Sequence, residues 1–271
     1  MIDEHATRDA WDAFGGGYDQ AFSSSFTAIA RAALRFADVQ PGMRLLDVAA
    51  GSGALSIPAA ELGAEVLATD ISPGMLALLG ARAKEAGVTG IRTAVMDGTD
   101  LDLEDETFER VCSQFGVMLF PDTDAGLREM FRVTATGGLA VVVIFGRPEH
   151  VMPIWLCEQA LHAALPDLEL PSGNRLQTDP MSLAEAMSTV GFADVGLQKL
   201  DLSVEVGSPH GAWDAMSAAM AMLLSRLPDE RVAAVRDNFV AAVLERYEPN
   251  VTKLPVEIIV GIGSRRPTPT P

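Results

Sequence analysis

A short segment near residue 50 constrains the fold of this chain more than any other feature. The run from Leu45 to Gly53 reads Leu-Leu-Asp-Val-Ala-Ala-Gly-Ser-Gly, an apolar strand that ends in a Gly-x-Gly loop. A helical pattern follows at 54–61. Glycines in such a loop let a ligand approach the backbone without a Cβ in the way. The segment therefore predicts an α/β fold that binds a ligand where a strand meets a helix.

Further apolar runs alternate with helical patterns along the rest of the chain. Short connections between them imply right-handed βαβ units and a parallel sheet. The prediction is an α/β, Rossmann-like, doubly wound and mostly parallel sheet of seven strands, with a helical cap made by insertions. The predicted strands are 43–49, 65–69, 90–95, 110–114, 140–145, 195–206 and 254–263.

The same patterns divide the chain into segments of different character. An N-terminal helical lid, interrupted by the glycines at 15–17, precedes the ligand-binding core. Gly137 and Gly138 are expected to end a helix and turn the chain into the fifth strand. The predicted segments are a lid at 1–36, a core at 37–146, cap or substrate insertions at 147–190 and 208–250, and the final core strands at 191–207 and 251–265.

Charge and composition exclude several classes of function. The 271 residues are 48% hydrophobic and carry a formal net charge of −17, and such an acidic surface repels the phosphates of a nucleic acid. No apolar run approaches the ~20 residues that span a bilayer, and the N-terminus does not resemble a secretory signal. Cys112 and Cys157 form no metal or disulfide pattern. We expect a cytoplasmic protein with no membrane or nucleic-acid partner and no metal.

Three acidic residues end successive predicted strands. Asp47 lies on the first strand, Asp70 ends the second and Asp97 ends the third. The carboxyl ends of parallel strands form the ligand-binding edge of such sheets. Asp47 would repel a pyrophosphate, and Ser56 occupies the third position of the dinucleotide fingerprint, where glycine or alanine is usual. A ligand with a cationic amino acid end fits this pattern better than a dinucleotide.

These motifs together resemble the class I S-adenosylmethionine-dependent methyltransferases. Within that superfamily the chain looks like the ubiquinone/menaquinone-biosynthesis type and its small-molecule relatives. The resemblance covers about residues 10 to 146 and loosely the terminal strands. It is carried by the Leu45–Gly53 run, Asp70, Asp97, the segment 113–122, the segment 129–133 and the glycines at 137–138.

The resemblance implies a site for S-adenosylmethionine. It assigns the loop from Asp47 to Gly53, including Ala49, Gly51 and Ser52, to the methionine end of the cofactor. It makes Asp70 the ribose ligand and Asp97 the adenine ligand. It also implies supporting contacts from residues beside the three acids and at the end of the fourth strand, namely Ile71, Met75, Met96, Gly98, Ser113 and Gln114.

The lid and the cap supply the other candidate residues. Tyr18, in the lid, is a candidate contact to the cofactor or the substrate. Gln114, Trp155, Trp213 and Met216 are candidate substrate contacts; the cap residues could instead pack the cap onto the sheet or onto a second subunit, which leaves a homodimer open. His150, beyond the fifth strand, is the candidate general base.

The sequence therefore predicts methyl transfer from S-adenosylmethionine to an O, N or C nucleophile of a small, partly apolar metabolite. Two alternatives remain open. The first is a cofactor-binding enzyme on the same fold that does not methylate, because the binding loop would look the same. The second is an NAD(P)-dependent oxidoreductase, which Ser56 and Asp47 disfavour.

Overall fold

The computed structural model describes residues 4–167 and 175–267. Seven strands alternate with helices along most of the described chain. The strands are β1 Arg44–Val48, β2 Glu65–Asp70, β3 Ile91–Val95, β4 Phe108–Gln114, β5 Thr134–Phe145, β6 Ala193–Glu205 and β7 Lys253–Ser264. The α-helices are α1 Glu4–Leu34, α2 Ser56–Glu61, α3 Pro73–Glu85, α4 Thr123–Val133, α5 Met152–Ala164, α6 Arg175–Thr178, α7 Leu183–Thr189, α8 Pro209–Ala219, α9 Ala221–Leu224 and α10 Asp229–Arg246.

The strands form one sheet in the order β3-β2-β1-β4-β5-β7-β6. The first five strands are parallel to their neighbours, whereas β7 lies antiparallel between β5 and β6. The predicted Rossmann-like, mostly parallel sheet of seven strands is therefore confirmed. Chain order reverses direction at β1 and β4, and ligands of such sheets bind outside the strand ends at that switch point.

The central strands are apolar because both faces of the sheet are covered. Leu45, Leu46 and Val48 of β1 have no exposed surface, and residues 140–144 of β5 are equally buried. A parallel strand that is buried on both faces reads as a continuous apolar run, which is why the sequence located these strands well. Against that background, the buried Asp47 is the exception.

The lid segment is one continuous helix, which corrects the predicted interruption at residues 15–17. Helix α1 runs from Glu4 to Leu34 through all three glycines. Glycine weakens a helix by only about 1 kcal/mol per residue, and tertiary packing can outweigh that cost. Here α1 packs on α2, α3 and α8. Because α1 is 31 residues long and contacts the core and the cap, it connects these two parts of the molecule.

The Gly137–Gly138 pair does not end a helix, as the sequence had suggested. Helix α4 stops at Val133, and the pair lies inside β5, where the pairing with β4 shifts register. Gly137 has a φ of +81°, and a Cβ on Gly138 would lie 2.8 Å from the carbonyl oxygen of Ala135. The two glycines therefore permit a bulge in a strand that begins earlier than predicted.

The insertions form a helical layer, the cap, made of α5, α8 and α10. These helices pack on one another, and α8 also contacts α1. Val235, Phe239 and Val243 of α10 are fully buried, so the cap has its own apolar interior. In the described ranges we find no helix with the length and apolar character needed to cross a membrane.

Replacing Gly53 by alanine is expected to lower the free energy of unfolding by about 2–4 kcal/mol, as measured by urea denaturation. Gly53 has a φ of +87°, and an added Cβ would lie 2.7 Å from Cγ of Leu79 on α3. The matched control is Gly80→Ala on the exposed side of α3, where an added Cβ meets nothing within 4 Å. The control should be neutral or gain up to about 1 kcal/mol, and equal losses in both variants would contradict the prediction.

Candidate active site

A cavity of about 330 Å³ opens at the carboxyl ends of β1 to β4. The loops that follow these strands form its floor and walls, and α1 contributes from above. The sequence predicted 11 of the 23 described lining residues. The predicted loop and acidic residues that line it are Asp47, Ala49, Gly51, Ser52, Asp70 and Asp97, and the predicted supporting residues are Ile71, Met75, Met96, Gly98 and Gln114.

Asp47 is a buried carboxylate with one uncommitted oxygen. Its Oδ2 accepts a hydrogen bond of 2.6 Å from the Ser56 hydroxyl, whereas Oδ1 is buried and has no hydrogen-bond partner. Burial raises the pKa of Asp47 to about 7; the Ser56 hydrogen bond opposes this shift and the charge of Asp70 adds to it. A buried acceptor without a partner costs about 1–3 kcal/mol. A cationic donor in the cavity would remove that cost.

Asp70 fixes the glycine loop against the end of β2. Its Oδ2 accepts from the backbone N–H of Gly51 at 2.8 Å, and its Oδ1 accepts from the backbone N–H of Ser72 at 2.9 Å. Burial raises the pKa of this carboxyl, and the two backbone hydrogen bonds oppose the shift. Each carboxylate oxygen has a second lone pair, so Asp70 can still accept hydrogen bonds from a ligand.

Asp97 is arranged in the same way at the end of β3. Its Oδ1 accepts hydrogen bonds from the backbone N–H and the hydroxyl of Thr99, both at 2.8 Å. Thr99 lines the cavity beside it. These contacts fix the orientation of the carboxyl group at the far end of the cavity from β4. Three acids on three neighbouring strands therefore border one cavity.

The β4 side of the cavity is apolar and aromatic. Phe115 and Phe26 line it, with ring centroids 4.9 Å apart. Phe145 stacks on Phe115 at 4.2 Å, and Phe22 stacks on Phe26 at 5.2 Å. We call these four phenylalanines the aromatic wall. The cavity thus has an acidic side at β1 to β3 and an aromatic side at β4 and α1.

Helix α1 is fastened over the cavity by two aspartates. Asp12 Oδ1 accepts from the Ser72 hydroxyl at 2.5 Å and from the backbone N–H of Gly74 at 2.9 Å, at the start of α3. Asp19 pairs with Arg82 at 3.0 Å, and the same guanidinium donates to Ser52 in the glycine loop. These contacts hold Trp11 of α1 at the cavity.

Three predicted cofactor residues do not contribute a described side chain to the cavity. Gly53 lies behind the loop and gives room to Leu79. Ser113 is fully buried behind the wall, where its hydroxyl accepts from the backbone N–H of Val117 at 3.3 Å. Tyr18 lies on α1, and its side chain is outside the part of the structure that is described. Its predicted contact therefore stays a prediction.

His150, the predicted general base, lies away from the cavity. Its Nδ1 is 2.9 Å from Oε2 of Glu257 on β7, and Lys199 of β6 contacts the same oxygen at 2.7 Å. Glu257 is buried, which raises its pKa, but the contacts with Lys199, with the backbone N–H of Arg147 and with His150 outweigh this effect and leave the pKa lowered. The strand ends bring His150 to a salt-bridge cluster on β6 and β7, which the sequence could not place relative to the cavity.

The predicted substrate residues of the cap are not among the described lining residues of the cavity, and their contacts lie within the cap. Trp213 packs on Phe239 with ring centroids 5.9 Å apart, and Met216 is buried on the same helix. Trp155 lies under the Arg246 guanidinium, 4.3 Å from its ring centroid. The described lining residues all lie between positions 11 and 122, so of the predicted substrate residues only Gln114 lies at the cavity.

Sequence reasoning missed part of the cavity wall. Phe115, Leu119, Phe120 and Asp122 follow β4 and line the cavity. Their position just after the carboxyl end of a strand is a signal that could have identified them. Phe26 has no such signal, because it lines the cavity from helix α1 and follows no strand. Its backbone oxygen accepts from Gln114, which lies 88 positions later in the chain.

The buried Asp47 predicts a pH-dependent stability for the ligand-free protein. Its pKa rises from an ordinary 3.8 to about 7 on folding, so the unfolded chain loses this proton first as the pH rises. The free energy of unfolding should fall between about pH 4 and about pH 7, at roughly 1.4 kcal/mol per unit of pKa shift at most. Asp47→Asn should therefore be more stable than wild type near neutral pH, and chemical denaturation from about pH 5 to about pH 8 measures the difference. A difference that does not change with pH would contradict this origin.

Comparison with known proteins agrees with this geometry. Residues 46–142 match the model of a methyltransferase domain. An uncharacterized protein of Mycobacterium tuberculosis is 39% identical over 122 residues, which are 45% of this chain and 40% of that protein. The chain thus spans well under two thirds of the length of this relative.

A second relative is matched over more of its length. The demethylmenaquinone methyltransferase of Mycolicibacterium paratuberculosis is 33% identical over 174 residues, covering 60% of this chain and 73% of that enzyme. Among solved structures, a phosphoethanolamine N-methyltransferase of Haemonchus contortus in complex with S-adenosyl-L-methionine has the same fold, with a TM-score of 0.63 at 17% identity, covering 98% of this chain and 61% of that one. The chain belongs to the class I S-adenosylmethionine-dependent methyltransferases, in the group that includes the menaquinone-type enzymes.

Proposed function

We propose that this protein binds S-adenosylmethionine in the cavity and transfers its methyl group to an O, N or C nucleophile of a small, partly apolar molecule. The observation that carries the proposal is the buried Oδ1 of Asp47, which borders the cavity and has no partner. Family membership supplies the cofactor, and the charge of the site agrees with it. A dinucleotide pyrophosphate would meet the carboxylate of Asp47 instead of a donor.

The residues present fit S-adenosylmethionine. The amino acid end of this cofactor carries an ammonium group, which Asp47 Oδ1 would accept. Asp70 would accept hydrogen bonds from the ribose hydroxyls, and Asp97 from the exocyclic amine of adenine. The apolar side chains of Ile71, Met75 and Met96 line the cavity, and they would pack on the adenine ring.

Bound S-adenosylmethionine would supply a methyl group on a positively charged sulfur. The acceptor would attack the methyl carbon in line with the carbon–sulfur bond, and the sulfur would leave. The protein then contributes mainly position and exclusion of water, because holding two reactants in line supplies much of the rate. The aromatic wall excludes water from the β4 side of the cavity. Asp47, Asp70 and Asp97 would hold the cofactor, and Gln114 lies at the β4 side of the same cavity, across from the ends of β2 and β3.

Helix α1 serves as the lid of this site in our proposal. Asp12 fastens it to Ser72 at the start of α3, and Asp19 fastens it to Arg82. The backbone N–H of the same Ser72 donates to Asp70, which links the lid contact to the ligand-binding loop. Release of these few contacts would open the cavity, and closure would keep water out during transfer. Because α1 belongs to the same chain as the cavity, the lid needs no residue from a second subunit.

The acidic surface supports a small acceptor molecule. With a net charge of −17, the protein repels nucleic acids over long distances. Cys112 and Cys157 are both buried and not joined in a disulfide, which fits a reducing compartment such as the cytoplasm.

Native mass spectrometry of the freshly purified protein tests the cofactor first. We expect retained S-adenosylmethionine or S-adenosylhomocysteine. Incubation with methyl-labelled S-adenosylmethionine and a bacterial small-molecule extract then tests the activity, and we expect a labelled product of low molecular mass. Cofactor binding without any labelled product would favour the alternative of an enzyme that binds the cofactor and does not methylate.

A further inference from the structure

Gln114 combines two features that set it apart from the other cavity residues. Its side-chain amide nitrogen Nε2 donates to the backbone oxygen of Phe26 on α1 at 3.0 Å. Its carbonyl oxygen Oε1 is buried and has no hydrogen-bond partner. The side chain lines the cavity beside Phe26 and Phe115.

The contact with Phe26 fixes which way the amide faces. If the amide were turned over, Oε1 would face another carbonyl oxygen, and two acceptors without a proton between them repel each other. Gln114 therefore presents Oε1 as an unpaired acceptor, and Nε2 keeps one further hydrogen besides the one donated to Phe26. A buried acceptor costs stability until a donor reaches it. A ligand group that pairs with Oε1 must carry a hydrogen on nitrogen or oxygen.

The charge of the cavity restricts the ligand further. Among its described lining residues, four are aspartates and none is lysine, arginine or histidine. An anionic group beside Gln114 would find no lysine, arginine or histidine among the described lining residues, so the protein would not compensate the cost of desolvating it. The aromatic wall beside Gln114 instead favours an apolar body, since rings bury area well and stack with other rings.

We infer that the acceptor is an uncharged molecule with an apolar body, whose hydroxyl or amine group donates a hydrogen bond to Oε1 of Gln114 while its body packs on Phe26 and Phe115. This rests on the proposed function and specifies its acceptor. The reaction converts the X–H group of the acceptor into X–CH₃. The new bond uses a lone pair on X, the carbon–sulfur bond breaks with its electrons left on sulfur, and the proton leaves to water. Gln114 orients X–H and takes no proton.

A matched set of four probes tests this inference by isothermal titration into protein saturated with S-adenosylhomocysteine. The probes are para-tert-butylphenol, para-tert-butylaniline, para-tert-butylanisole and para-tert-butylbenzoate, which share one apolar body. The phenol and the aniline each carry a donor, the anisole carries none and the benzoate is an anion. We expect at least one donor probe to bind about fivefold or more tighter than the anisole and the benzoate. Whichever donor binds better distinguishes a hydroxyl from an amine acceptor.

Variants then connect the preference to Gln114. In Gln114→Met, donor probes should bind within about twofold of the anisole, because the acceptor oxygen is gone while the volume is kept. The control Gln198→Met, on an exposed position of β6, should keep the wild-type preference. If Gln114→Met does not fold, as judged by circular dichroism, Gln114→Asn replaces it in the test. Its side chain is one methylene group shorter, so the amide oxygen is drawn back and the preference for donor probes should fall.

The outcomes separate the two proposals. Failure of S-adenosylhomocysteine to bind the wild-type protein would overturn the proposed function itself. Normal cofactor binding with four equal probe affinities, with no binding of either donor probe, or with a preference that survives in Gln114→Met, would overturn only the role of Gln114.

Discussion

Asp70→Ala is expected to weaken the binding of S-adenosylhomocysteine by about 10- to 150-fold, the equivalent of losing charge-assisted hydrogen bonds worth roughly 1.5–3 kcal/mol. The variant would lack the carboxylate that contacts the ribose hydroxyls. The backbone N–H groups of Gly51 and Ser72, which donate to this carboxylate in the ligand-free structure, would lose their acceptor. The loop and the start of α3 would then have to be ordered by the ligand itself. Isothermal titration at constant pH measures the change.

A control separates this effect from a general loss of negative charge. Asp102 is exposed, lies in the connection between β3 and β4 and is not among the described lining residues of the cavity. Asp102→Ala should bind S-adenosylhomocysteine as the wild type does. If a folded Asp70→Ala protein also bound with wild-type affinity, the ribose would not lie at the end of β2, and the assignment of the cavity would be wrong.

Asp47→Asn is expected to weaken the binding of S-adenosylhomocysteine by a similar factor, about 10- to 150-fold. The binding of 5′-methylthioadenosine should stay nearly unchanged. The two ligands share adenine, ribose and sulfur, and only the first carries the amino acid. The variant keeps a carbonyl oxygen for the Ser56 hydroxyl and removes the charge that would face the ammonium group. Competition titration with both ligands gives the ratio of the two losses.

The pair of ligands makes this test specific. Equal losses for both would mean that Asp47 supports the site as a whole and does not contact the amino acid end. The ligand-free Asp47→Asn variant should nevertheless be at least as stable as the wild type near neutral pH. Burial raises the pKa of Asp47 in the folded wild type, so ionisation of this carboxyl destabilises the fold, and asparagine removes that cost. A gain in stability together with weaker binding of S-adenosylhomocysteine alone would identify Asp47 as a residue that binds the amino acid end.

The sequence predicted the sheet because buried parallel strands and their acidic ends leave local signals. Asp47, Asp70 and Asp97 each follow or end an apolar run, and their position relative to the glycines is set by short connections. For this reason the acidic side of the cavity could be assembled residue by residue without a structure. The aromatic side could be assembled only in part, since Phe26 lines it from helix α1 and Phe145 stacks behind Phe115 from strand β5, far apart in the chain.

The sequence could not place residues whose position depends on how separate elements pack. The glycines at 15–17 suggested a break, but contacts from α1 to the core and the cap keep the helix continuous. His150 follows a strand's carboxyl end, as a catalytic base would, yet its Nδ1 contacts Glu257 of β7, and His150 is not among the described lining residues of the cavity. Trp213 and Met216 have the apolar character of a substrate pocket, and the same character suits the interior of the cap. No local pattern distinguishes these cases.

Titration of S-adenosylhomocysteine into the ligand-free wild-type protein tests the central claim most directly. The account predicts saturable binding at one site per chain in the micromolar range, with NADH giving no signal under the same conditions. Absence of binding at millimolar S-adenosylhomocysteine, or binding of NADH alone, would contradict it.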